Sequence, residues 1–406
     1  MKALAWKNSD GQAVVLVLLI VLILFGLAAA LETITAGTRG NVAGEKYSIQ
    51  ALYAADAGIE KLTAKLHSSP DWCDSLPSDH LVTVFNNQQL SENNYFTVRA
   101  QKGTQQEFGA VVFIEAVGQC LDEDNNLVAQ KTLNCEAVVY RAEDYLRGFA
   151  LLPTAAEELL FSGSGFFDAP LLYNGALQLA GNLEVNSNQK IFTGGNFSAV
   201  ADSGGAKPVY NAANVRQDYL YLPPFPDLNK SYYRDGAAEN GHVYYGDTTF
   251  RNLWVPVGEE KIMTEVVPAY EGFYYVEGDI NISQNFNGRA VFFATGDITV
   301  DGDLIPGFDA GAGAPEPGAG NLTLVALGNI NIAGVTVYAN IVSGGSLAAD
   351  AVTELNGAVC AKGAAFPGCG SLKQCVAADM APDADFIPLS VKLVDWREKY
   401  SVFSES

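Results

Sequence analysis

Apolar residues and one glycine fill every position from Ala13 to Leu31. The charged residues nearest this run are Lys2, Lys7 and Asp10 before it and Glu32, Arg39, Glu45 and Lys46 after it. As a helix the run is about 28 Å long, close to the roughly 30 Å hydrocarbon thickness of a bilayer, so it is expected to span one. A cleaved secretory signal has a shorter apolar region with a small-residue exit. Ala28 to Ala30 would supply such an exit and keep ordinary signal cleavage as the alternative. From Glu32 the pattern turns one-sided. Ile49, Leu52, Ile59, Leu62 and Leu66 recur at helical spacing, and Ser68-Ser69-Pro70 closes the segment, so one helix is predicted over 12–70. Glycines at 26, 37, 40, 44 and 58 interrupt it. They imply either a weak helical stretch or a close helix contact at Gly40 and Gly44.

Between His80 and Tyr140 the period changes to two. Tyr95 to Arg99, Ala110 to Glu115 and Cys135 to Tyr140 read as antiparallel strands, whose apolar face needs a cover that the amphipathic helix supplies. The predicted first module is therefore α+β, with its antiparallel head over 71–147. After Arg147-Gly148 helical signals fade and short apolar strands with glycine corners take over. Phe273 to Ile282, Val291 to Val300 and Leu322 to Ile332 share one design of strand, glycine and alternating strand. Their corner glycines are Gly278, Gly296 and Gly328, with echoes at Gly181, Gly195 and Gly345. The long step from Gly296 to Gly328 holds a Gly/Ala/Pro insertion over Pro306 to Gly320. Without it the period is about 18 residues, which predicts an all-β domain over 148–380, a parallel β-helix or other solenoid, with a β-sandwich as the alternative. The tail over 381–406 is expected to cap the open end of the stack.

Two stretches fit a known family. Asp10-Gly11-Gln12-Ala13 ahead of the apolar run resembles the processing site of type IV pilins. Ala51-Leu52-Tyr53-Ala54-Ala55-Asp56-Ala57-Gly58-Ile59-Glu60 resembles the matching segment of PilX-like minor pilins. The resemblance covers the first seventy residues and is weaker beyond. It implies cleavage by a prepilin peptidase between Gly11 and Gln12, methylation of the new terminus, storage in the inner or cytoplasmic membrane, and later packing against other pilins. Ala13, Leu16, Leu19, Leu24 and Leu31 would then line the membrane or the filament core. Major pilins of this family carry a glutamate as the fifth mature residue, whose carboxylate neutralises a neighbour's amino terminus. Leu16 stands there instead, so a terminal position such as a filament tip is expected rather than bulk incorporation.

The chain has 406 residues and a formal net charge of −22, which argues against nucleic acid and against anionic membrane surfaces as partners of the exported body. The positive bias ahead of the apolar run orients its N-terminus to the cytoplasm, with the bulk outside. Export makes disulfides plausible among Cys73, Cys120, Cys135, Cys360, Cys369 and Cys375. The favoured bridges are Cys120 with Cys135 or one within the Cys360, Cys369 and Cys375 cluster. Zinc is not expected, because His67, His80 and His242 have no finger spacing to a cysteine pair. Asp122, Asp124 and Asn126 set oxygen ligands at alternate positions and could hold calcium, although a hairpin turn uses the same residues. No other cofactor is implied.

Stacking the repeats would align Asp279, Asp297 and Asn329. Two carboxylates about 5 Å apart suit a retaining glycosidase, which makes a membrane-anchored polysaccharide enzyme the alternative function. Ordinary Gly-Asx corners explain the same column, and the expectation is no catalysis. A tyrosine-rich stretch from Val209 to Tyr245 could grip a surface glycan or protein, or pack over a flank of the stack. The expected function is a non-enzymatic minor filament subunit serving assembly, adhesion or presentation. A structural surface-layer or spore-coat protein is a third class.

Overall fold

The computed structural model describes residues 9–104, 106–145, 148–153, 158–251, 253–257, 262–266, 269–283, 286–305, 320–349, 354–365, 371–372 and 390–398. One helix, α1, runs from Ser9–Ser68 without a break. A short 3-10 turn, Pro70–Ser75, follows it, with Pro70 at the position where a missing N–H costs nothing. Four strands come next: β1 (Val82–Ser91), β2 (Asn94–Lys102), β3 (Ala110–Leu121) and β4 (Leu127–Tyr140). They pair antiparallel in sequence order and form the expected head.

The second half of α1 lies on this sheet. Ile59, Leu62 and Leu66 are buried against Val98, Ile114, Leu133 and Ala137, each fully buried aliphatic contributing about 1.5–3 kcal/mol. Ile49, counted in the same stripe from sequence, is 44% exposed; the buried face there is made by Ala51, Ala54 and Ala55. Small residues win this position because the backbones meet. A Cβ on Gly118 of β3 would collide with the Ala51 carbonyl oxygen, and one on Gly58 would stand 2.8 Å from Val98. That close approach is the physical reason for the alanine-rich segment in the helix.

A fifth strand, Ser390–Glu398, pairs antiparallel with β4 from Ser390↔Tyr140 onward. The tail was expected to cap the stack; its described residues complete the head sheet instead, where β4 had an unpaired edge. The all-β region is thus inserted between two neighbouring strands of the head. Both outer edges of the five-stranded sheet are irregular: β1 carries three register shifts and the last strand one, next to Asp395 at φ 52°. Bulged edges resist pairing with other chains.

The inserted region is built of parallel sheets, one of 14 strands and one of 6. Tyr274 lies beside Phe292, Phe292 beside Leu324, Leu324 beside Ile341 and Ile341 beside Val359, the register that the glycine-cornered repeat predicts. Alternate residues of these strands point into one core with Ile280, Ile298, Ile330 and Leu347. The strand order is not the chain order. Phe149–Leu151, Leu171–Tyr173, Ile191–Thr193 and Val215–Arg216 step towards one edge. The chain then crosses to Val243–Tyr245 at the far edge and works back until Val359–Ala365 pairs with Phe149–Leu151.

The crossing segment explains the tyrosine cluster. It runs over the outer face of the large sheet: Tyr219 packs 5.1 Å from Phe192, Lys362 lies over Phe225, and Tyr233, on the helix Lys230–Ala238, stacks 4.3 Å from Phe293. Its other side meets the head. Tyr140 donates to the Leu222 carbonyl, Tyr221 donates to the Glu136 carboxylate, and Lys392 donates to the carbonyls of Leu220 and Leu222. Tyr219, Tyr221 and Tyr233 are packing material between the two layers; Tyr210 and Tyr244 pack instead against the inner core, beside Phe197 and Phe250, and Tyr245 is 78% exposed.

Candidate functional site

The feature with most unsatisfied apolar surface is the first half of α1. Every side chain described from Val17 to Leu31 is exposed, Leu22 and Phe25 by about three quarters, and Leu19, Leu24 and Leu31 by more than half. Among the described residues nothing beyond the helix's own backbone lies within 4 Å of where a Cβ would stand on Gly26 or Gly44, so the glycine contact expected at Gly44 has no partner among them. Thr35 folds its hydroxyl back onto the Leu31 carbonyl at 2.7 Å, which satisfies it without interrupting the helix. Gly11, Gln12, Ala13 and Leu16 lie on α1, and their side chains fall outside the described residues. Among the described residues no helix is long and apolar enough to cross a membrane; the described side chains of the run begin at Val17.

The loop between β3 and β4 gathers the calcium candidates. Asp122 Oδ1 accepts from the Asp124 and Asn126 amides at 2.9 and 2.8 Å, and Oδ2 accepts from Asn126 Nδ2 at 3.1 Å. Those bonds, the backbone one from Asn126 first, hold the Asp122 carboxyl below the usual carboxylate range. Asn125 takes φ 63°, and the cluster works as a turn around one carboxylate. Among the described residues no three His, Cys, Asp or Glu side chains assemble as a metal site.

Cys120 and Cys135 do not bridge. The β3–β4 register sets Cys120 opposite Ala129 and Cys135 opposite Ile114, six residues apart along the hairpin and about 20 Å, beyond any disulfide. Cys120 instead contacts Gln50 on α1 at 3.3 Å. Cys73, Cys120, Cys135 and Cys360 are all free and buried. Burial pushes the Cys135 thiol up to about 12 and that of Cys360 higher, which makes both poor nucleophiles. Cys369 and Cys375 lie outside the described residues, as does the Gly/Ala/Pro insertion over 306–319.

The column of corner residues is real and structurally occupied. Asp279 Oδ1 accepts the Asp297 amide at 2.8 Å, Asp297 Oδ1 accepts the Asn329 amide at 2.7 Å, and Asn329 Oδ1 accepts the Ser346 amide at 2.9 Å. Each corner glycine leaves the room its neighbour's side chain fills; a Cβ on Gly345 would stand 2.5 Å from Asn329 Oδ1. The ladder starts one step earlier than the sequence suggested, because Asp247 Oδ1 accepts the Asp279 amide at 3.0 Å. Gly246-Asp247 carries the same dipeptide signal. It was hidden by the hairpin Leu253–Val257 and Ile262–Val266, which stretches the step to Gly278.

No protein-family model and no curated protein matches this chain. Among solved structures it is similar to the competence-associated pilin ComZ from Thermus thermophilus, at 14% identity and a TM-score of 0.39, with 87% of this chain and 98% of that chain covered.

Proposed function

We propose that this chain is a subunit of a type IV pilus or related filament, and that its parallel sheets form a β-solenoid displayed on the outside. The observation that carries the reading is the division of α1. One half is fastened to the head sheet by backbone-close packing, and the other half is a bare apolar rod. Apolar surface of that size calls for lipid or for other helices. The leader motif supplies the switch between the two: the rod is held in the membrane with its N-terminus cytoplasmic, then drawn out to pack against sister rods. Leu16 favours a minor subunit at a filament end, where no neighbour presents an amine to be neutralised. The regular parallel register across Tyr274, Phe292, Leu324, Ile341 and Val359 supports the solenoid.

The reading is of a non-enzymatic subunit. Asp247, Asp279 and Asp297, the carboxylates of the corner column among the described residues, each hold the next corner through Oδ1. The test is the first residue of the mature protein together with its place in purified filaments. Processing after Gly11 and gold labels confined to filament ends are expected. A mature chain beginning beyond Ala30 and absent from fibres would end the filament reading; labels along the whole shaft at near-major stoichiometry would end the tip assignment.

A further inference from the structure

We propose that the outer edge of Val243–Tyr245 and Thr248–Arg251 takes up one further coil from another protein: an extended segment with an apolar strand, a Gly-Asx corner, a second strand and a basic flank. The proposal rests on the parallel register of the stack and is independent of the filament reading. Each corner side chain in the column accepts the amide of the next corner: Asp247 from Asp279, Asp279 from Asp297 and Asp297 from Asn329. Asp247 is the first, and among the described residues nothing accepts from its own amide. Val243–Tyr245 pairs on one side only, with Ala269–Glu277, and Thr248–Arg251 pairs only with Ile280–Ser283. The Tyr275 amide donates to the His242 carbonyl and the Gly246 amide to the Glu277 carbonyl. Alternate residues of a parallel strand bond to opposite sides, so Val243 and Tyr245 aim their backbone groups away from the stack. The side chains end in the same way. His242 stacks 4.1 Å from Tyr274 and Tyr274 stacks 4.9 Å from Phe292, so His242 is the last ring of the column, and its buried Nδ1 has no hydrogen-bond partner.

The opposite edge of the stack is closed. There the Gln217 side chain accepts the Phe197 amide at 3.1 Å, Tyr210 packs its ring 5.1 Å from Phe197, and Val209 bridges to Glu184. The edge at Val243 has no such cover from a strand: the hairpin Leu253–Val257 with Ile262–Val266 forms a two-stranded sheet of its own. Nor is it bulged, since both of its pairings run without a register shift. Straight, unpaired edges recruit strands from other chains. The incoming segment must run parallel, because only then does its corner oxygen meet the Asp247 amide as the corners within the stack do. A second copy of this chain does not supply that. Gly278-Asp279, Gly296-Asp297 and Gly328-Asn329 are paired inside its own stack, its opposite edge is closed, and a two-fold pairing of like edges is antiparallel. The net charge of −22 also repels copies. Asp247, Glu277 and Asp279 gather at the corner with no ion pair among the described residues, which calls for lysine or arginine on the incoming segment.

The test uses the full chain in detergent and a fluorescent peptide copying Val291–Val300, with lysines added at both ends, read by fluorescence anisotropy. Saturable binding is expected. Asp297→Ala in the peptide removes the oxygen offered to the Asp247 amide and should weaken binding by about tenfold, whereas Asp297→Asn keeps Oδ1 and should change it by less than about threefold. In the chain, Tyr245→Pro deletes an outward N–H at an edge position where proline is tolerated, and should also cost about tenfold. Tyr245→Ala keeps that amide and should keep most of the binding. No saturable binding up to about 1 mM, or parent and Asp297→Ala peptides that bind alike, overturns the proposal. Self-association of the chain that Tyr245→Pro abolishes, read by sedimentation, overturns it as well, because the occupant would then be a second copy.

Discussion

Replacing Gly118 with alanine should break the contact that seats the helix on the head. A Cβ at that position collides with the Ala51 carbonyl oxygen and comes within 2.5 Å of the Ala55 amide nitrogen. Both atoms are helix backbone, so no rotamer change relieves the clash. Ordinary contact needs about 3.5 Å, so helix and strand must part by about 1.5 Å along the fully buried face of Ala51, Ala54 and Ala55. Overpacking of a close interface costs about 1–3 kcal/mol, and the upper figure is expected where neither side can give. Gly44 is the control in the same helix: nothing lies within 4 Å of its would-be Cβ. Gly44→Ala should stabilise by up to about 1 kcal/mol through helix propensity alone. Urea unfolding of the full chain in detergent, followed by circular dichroism, compares the two. If both variants shift the midpoint in the same direction and by the same amount, the backbone-contact argument is refuted.

Three further outcomes are expected. Asp297→Ala should cost about 1–2 kcal/mol by leaving the Asn329 amide without its acceptor, whereas Asp297→Asn should stay within about 0.5 kcal/mol of the parent, as calorimetry would show. Alkylation under denaturing, non-reducing conditions should modify both Cys120 and Cys135; a peptide linking the two would contradict the β3–β4 register. Asp74 is held below its usual range by hydrogen bonds from Arg141 first and Lys102 second. Its contribution is therefore present above the unfolded carboxyl value and lost as pH falls through the lower folded one. Asp74→Asn should unfold more easily than the parent at neutral pH and match it in strong acid, measured as urea midpoints.

The parts of this fold that were legible in the sequence are those fixed by local period. Helical spacing at Ile59, Leu62 and Leu66 and alternation at Ala110 to Glu115 each state which face is buried, and both lie as read. The Gly-Asx corners were legible because the same dipeptide must recur wherever one side chain fills its neighbour's vacancy. Ile49 misled because alanines can occupy a buried face that hydrophobicity assigns to larger residues. The tail was missed because Ser390–Glu398 finds its partner some 250 residues earlier, and no periodicity records such a pairing. Strand order was out of reach for a related reason: similar repeats offer similar edges, so only the crossing segment decides that Val359–Ala365 meets Phe149–Leu151. For the candidate site, the apolar run was plain, whereas the fate of the tyrosines depended on which layers they separate.

The insertion of the parallel-sheet domain between two adjacent head strands has a mechanical consequence. Its two tethers leave from the same end of the sheet, at Tyr140 and Ser390, which face each other in register. Tension on the inserted domain would reach the head as a peeling force, opening that strand pair one rung at a time, the weakest way to load a ladder. The bonds from Tyr140, Tyr221 and Lys392 across the seam, and the contact of the Tyr145 hydroxyl with Ser390 at the very first rung, lie in parallel with that pair and share the load. A pull on the inserted domain would therefore load this seam, and its strength there is set by a handful of tyrosines and one lysine.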